Sequence, residues 1–238
     1  GPAAPRPRGP HTGGYYNRVD GFAMGLSGQL RLHDRRRYEH TRLDVAVSRS
    51  LAAEAWRHAV SLARPVFDRR LELGYEHHDL TDRDDALRLY GLDEAPGTSL
   101  LEQAHSDFFR RRGHEAWAFW RAHPRWQAGL SLRADRYESL PLATDGDPLG
   151  EATTRPNPPV DEGAAHSLLV TLRAASGELF PSRESERGSY SLRSLFGGLH
   201  EIPDGLRLGA TLERASAPAL GGDFTFTRLT ASLRGRQA

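Results

Sequence analysis

The densest run of groups able to hold an ion or move a proton is Glu76-His77-His78-Asp79-Leu80-Thr81-Asp82-Arg83-Asp84-Asp85. Imidazole and carboxylate are zinc-type ligands, and clustered aspartate oxygens suit calcium or magnesium. The spacing argues against a shared ion, because neighbours on a strand point to opposite faces and His77 and His78 then diverge. The aspartates read as a strand end running into a solvated acidic loop. His166-Ser167 is a second close pair in a strand-like stretch. It is expected to split in the same way, whereas a nucleophile must touch its base. There is no Cys for a thiolate nucleophile or ligand. Gly-x-Ser-x-Gly, a phosphate-binding loop and the dinucleotide fingerprint are also missing. The residues therefore point to no catalytic, cofactor-binding or metal-ligating position, to no cofactor, and away from an enzyme.

Charge adds little to that picture. The 238 residues carry a formal net charge of +1, with Arg supplying every strong base. No basic footprint of the kind that tracks a phosphate backbone results, and no nucleic-acid partner is expected. The length suits one large all-β domain or two smaller ones. Mean hydropathy is −0.60, a figure that counts against membrane helices but not against strands that alternate.

Alternation is what the chain has in quantity. From 15 to 32, Phe22, Met24, Leu26, Leu30 and Leu32 share one parity, and Gly21, Ala23, Gly25, Ser27, Gln29 and Arg31 share the other. A strand of this sequence has one greasy face and one small or polar face. Similar patterns recur at 42–48, 56–64, 70–79, 113–121, 126–135, 165–174, 206–213 and 224–234, giving about nine strands. Setting Leu32 opposite Leu43 and Leu62 opposite Leu71 keeps the greasy parities together through two turns. Residues 1–14 are rich in Pro and Gly and read as a linker or loop, with 15–238 forming the domain. Long loops are expected at 80–107, where Ser99-Leu100-Leu101-Glu102 is patterned like a helix capping box, and at 139–162. Residues 176–204 are poorly patterned, with a weak strand pattern at 190–199.

The two faces decide the fold class. In a soluble sandwich the outward parity would be dominated by large polar residues. In the opening strand it holds mostly Gly, Ala and Ser, which suits an enclosed face. Elsewhere the same parity carries Arg42, Asp44, Arg57, Glu72, Glu76, Arg133, Asp135, Arg207 and Glu213. Both signs in quantity are what a barrel interior pairing charges across strands would show. Arg18 and Asp20 are expected to take opposite charges across the sheet. Trp117, Trp120 and Trp126 crowd one short turn, either as an aromatic girdle or as a buried cluster. The fold expected is all-β, an antiparallel meander forming part of a transmembrane β-barrel.

Tyr16-Asn17-Arg18-Val19-Asp20-Gly21 resembles the Tyr-Asn-Arg-Val-Glu-Gly signature that opens barrels in a family of Gram-negative outer-membrane proteins. That family is related to the bacterial surface antigen superfamily, of the BamA and TamA type. Asp107 to Gly113 and Gly221 to Arg228 are similar to further segments of it, and the likeness spans most of 14–236. This chain has Asp20 where the signature has Glu. The resemblance implies location in the cell outer membrane and contact with outer-membrane lipid. It further implies a role in assembly or translocation of outer-membrane proteins or lipids, with client outer-membrane proteins as partners. Soluble polypeptide-binding repeats, a Val-Arg-Gly-aromatic loop motif and a terminal aromatic residue are not found, so the chain is expected to be part of a barrel. A passive outer-membrane channel, a barrel lipase and a soluble β-sandwich or ligand-binding barrel are the other readings.

Overall fold

A computed structural model of the chain describes residues 11–33, 40–67, 70–83, 107–144, 156–176 and 205–236, with the backbone alone at 11, 31–33, 40, 122 and 234–236. These residues form one sheet of ten strands, each paired antiparallel with its sequence neighbours. The strands are β1 (His11–Asn17), β2 (Gly21–His33), β3 (His40–Ser50), β4 (Trp56–Val66), β5 (Leu71–Arg83), β6 (Phe108–His123), β7 (Trp126–Ser139), β8 (Gly163–Ala175), β9 (Gly205–Ala215) and β10 (Phe226–Arg236). One short helix, α1 (Ala217–Leu220), interrupts the β9–β10 connection. The all-β antiparallel meander is as the alternation predicts.

Three details differ from the sequence reading. The opening stretch is two strands, because Arg18–Asp20 form a turn, and β1 takes in His11–Gly14, which the Pro/Gly content had assigned to a linker. Leu43 lies opposite Leu30 and Leu71 opposite Val66. Both registers keep the expected parity but shift along the strand, by two residues for Leu43 and by four for Leu71, because an even-numbered slip leaves every side chain on its own face. Asp82 belongs to β5 rather than to a loop, since the strand runs on to Arg83. The weak strand pattern at 190–199 and the capping-box segment lie outside the described residues.

Burial follows parity, with the usual chemistry reversed. Large apolar groups on one face stand exposed from β2 to β10: Leu26, Leu62, Leu73, Leu130, Leu172, Leu208 and Leu229 all belong to this set. The opposite face buries Asp44, Arg57, Glu72, Glu76, His78, Arg111, Asp135 and Glu213. Its buried apolar cluster is small, made of Ala46, Ala59 and Leu80. No second sheet lies over the greasy side among the described residues.

Curvature makes the charged face the inner one. The β1–β2 turn reaches across the sheet to the ends of β6, β7 and β8. There Arg18 donates to Asp107 at 3.0 Å and to Asn157 at 3.3 Å, and its carbonyl accepts the Ala143 N–H at 3.1 Å. Contacts over this span require the sheet to curl toward its polar face.

Small residues make room for that curl. On the inner face Gly74 of β5 lies opposite Trp117 of β6, and a Cβ added at Gly74 would fall 2.1 Å from the indole ring. Trp117 is therefore buried inside, while Trp120 and Trp126 pack edge-to-face with centroids 5.5 Å apart on the outer side. The three tryptophans divide between the two faces of the sheet according to parity. Gly74→Ala is expected to destabilise the fold by about 1–3 kcal/mol, since the ring has to leave its seat against the backbone. A lowered urea midpoint with an altered tryptophan emission is the expected observation; an unchanged midpoint would show that the ring is not held there.

Candidate functional site: the charged inner face

At one end of the sheet the sequence Asn17-Arg18-Val19-Asp20-Gly21 folds back on itself. The Asn17 side-chain oxygen accepts the N–H groups of Val19 at 3.0 Å and Asp20 at 2.7 Å, an Asx-type turn. Its amide nitrogen donates to the Asp20 carboxylate at 3.0 Å. Gly21 follows with φ +65°, and a Cβ there would meet that of Ala52 at 2.5 Å, so both backbone and space select glycine. Asp20 is fully buried and faces Arg57 of β4 at 3.8 Å, and Tyr15 Oη donates to it at 3.3 Å. Arg18 and Asp20 thus take opposite charges, as expected, although from a turn rather than from one strand.

Asn157 ties this turn to the far wall. It accepts from Arg18 and from the Phe108 N–H, and donates to the carbonyls of Phe108 at 2.7 Å and Leu140 at 2.8 Å. A cavity of about 630 Å³ opens beside the turn, with Val19, Trp56, Arg57, Arg110, Glu138 and Leu140 among its lining residues. Outside the strands, Glu162 accepts the Ser139 N–H at 3.0 Å, which holds its carboxyl below the ordinary range.

Farther along the inner face, His78 is enclosed between two carboxylates. Its Nδ1 lies 3.1 Å from Glu76 and its Nε2 2.9 Å from Asp135. An imidazolium, with both ring nitrogens donating, is the form that satisfies the two together. Asp135 also meets Arg111 at 3.4 Å and Arg133 at 3.8 Å. Arg111 holds Asp82 at 2.9 Å, and Arg133 reaches Glu115 at 3.0 Å and Glu213 at 3.6 Å. Arg228 closes the run on Glu213 at 2.6 Å. An almost continuous ladder of opposite charges thus crosses the wall from β5 to β10.

The chain matches no protein-family model, no curated protein and no solved structure. His77 faces outward while His78 is buried, so the adjacent histidines do not share an ion. His166 Nδ1 lies 2.9 Å from the Leu220 carbonyl, whereas Ser167 donates to Glu213 at 2.8 Å on the other face, and the two side chains do not meet. Every inward acid and base named from parity lies on the inner face, and Arg31 falls among the side chains outside the description. His78, Arg111 and Gln127, all buried, share this face beyond the residues that the parity pattern singles out. For His78 the signal was present, since it continues the series Glu72, Gly74, Glu76.

Proposed function

We propose that this chain is the wall of an outer-membrane β-barrel acting in assembly or translocation of outer-membrane proteins or lipids. The observation that carries the membrane part is the inversion of burial: leucines exposed on one face of seven strands, ion pairs buried on the other. In water an apolar face that runs across so many strands is an association hazard. In hydrocarbon it is the solvent-matched face, and the polar groups belong inside. Strand length agrees. Nine of the strands have 11 or more residues, and about 9–11 residues cross a bilayer at a tilt.

The assembly part rests on the resemblance of Tyr16–Gly21. The inner face, crossed by ion pairs and by the inturned Arg18–Asp20 segment, favours this role over an open conduit.

The parent protein is expected to fractionate with the outer membrane and to resist carbonate extraction. Recovery in the soluble fraction would defeat the membrane reading. In planar bilayers it is expected to show little steady conductance, and a stable conductance without any partner chain would favour the passive channel.

A further inference from the structure

Three imidazoles lie side by side on the outer face, on consecutive strands: His58 of β4, His77 of β5 and His114 of β6. Ring centroids are 5.2 Å apart for His58 and His77 and 4.7 Å for His77 and His114. His77 and His114 are direct cross-strand partners, and their Nδ1 atoms stand 3.3 Å apart. The Tyr75 hydroxyl lies 2.5 Å from the same His114 nitrogen. Three ligating atoms from two strands therefore gather at one place.

A nitrogen pair at this separation has two readings. One is a hydrogen bond between neutral rings of opposite tautomers. The other is the edge of a coordination tetrahedron, because two nitrogens each about 2.0–2.1 Å from zinc subtend about 3.3 Å at the tetrahedral angle. Imidazole suits zinc, copper and nickel, and antiparallel partners present their Cβ atoms close enough to chelate without moving the backbone.

The surroundings suit an ion reached from water. On the outer face Val60, Leu62 and Leu73 lie to one side of the histidines, and Asp79, Arg110, Arg112 and Arg136 to the other. The rings thus sit where the apolar band gives way to charge. Asp79, opposite His58 in register, has both carboxylate oxygens held by Arg110 at 2.8 and 2.7 Å, so it supplies negative charge nearby rather than a ligand.

We propose that His77 and His114 bind a zinc-type divalent ion, with His58 turning about its side-chain bonds to become the third ligand and Tyr75 or water completing the shell. The turn is required, since among the described residues no three His, Cys, Asp or Glu side chains converge as they stand. The site depends on the outer-face contacts alone and holds whether or not the barrel inserts proteins.

The test is calorimetric titration of the full chain, folded in detergent micelles, with zinc sulfate as the probe. Uptake of about one ion is expected. His77→Ala and His114→Ala should each weaken binding at least tenfold, and His58→Ala by a smaller factor. His166→Ala, on the same face at β8, should bind as the parent does. Folding of every variant is checked by heat-modifiability on gels, and His77→Gln and His114→Gln replace any Ala variant that does not fold. No zinc uptake by the folded parent, or unchanged binding in both the His77 and His114 variants, would overturn the proposal.

Discussion

Leu130→Arg is expected to lower the unfolding free energy of the complete barrel in lipid vesicles by about 2–4 kcal/mol, the cost of a cationic side chain near the bilayer midplane. Leu130 is the fifth of the 14 residues of β7, opposite Ala118 of β6 and Val170 of β8, with 48 % of its surface exposed. That exposure gives the experiment its power. If water lay against this face, replacing a half-exposed leucine by arginine would change stability by no more than about 0.5 kcal/mol. Leu220→Arg provides the comparison: it lies outside the strands, is 38 % exposed, and is expected to be nearly silent. Reversible urea unfolding followed by tryptophan fluorescence measures both. Equal small effects would remove the lipid-facing assignment and with it the membrane reading.

The arrangement of faces was legible because period two survives in the sequence wherever the two faces differ. In β2 the greasy and small parities never mix from Gly21 to Leu26, and the sheet places Phe22, Met24 and Leu26 outside and Ala23 inside. Legibility fails where both faces are polar. At the start of β6, Arg110 points outward to Asp79 and Glu138 while Arg111 points inward to Asp82 and Asp135. Consecutive arginines carry no alternation, so the strand is seen in the sequence only from Gly113. The same loss of contrast hid β1, whose Gly13 and Gly14 have no side chain to sort. The turn at Arg18–Asp20 was hidden differently, since its charged residues fit the parity of a continuous strand. The histidine row needed the register itself: 19 and 37 positions separate His58 from His77 and His77 from His114. No local pattern brings them together, and a two-residue slip of either pairing would separate them.

The inner face carries the second large effect. Asp135→Ala is expected to cost about 3–5 kcal/mol, because removing one member of a buried ion cluster leaves its partners charged and unpaired. Three groups would lose it: His78 Nε2 at 2.9 Å, Arg111 at 3.4 Å and Arg133 at 3.8 Å. Arg111 keeps Asp82 and Arg133 keeps Glu115, but the ring of His78 has Glu76 alone to face. Asp135→Asn retains the shape and one acceptor while removing the charge, so its loss should be smaller, roughly 1–3 kcal/mol. The ordering separates electrostatics from packing, since Asn fills the same space. Asp161→Ala, exposed and outside the strands, should stay within about 0.5 kcal/mol. All three are read by urea unfolding in the same vesicles. A loss below about 1 kcal/mol for Asp135→Ala would mean that water screens these charges as it does surface pairs. The inner face would then be wet enough to serve as a conduit, and the passive channel would displace the assembly role.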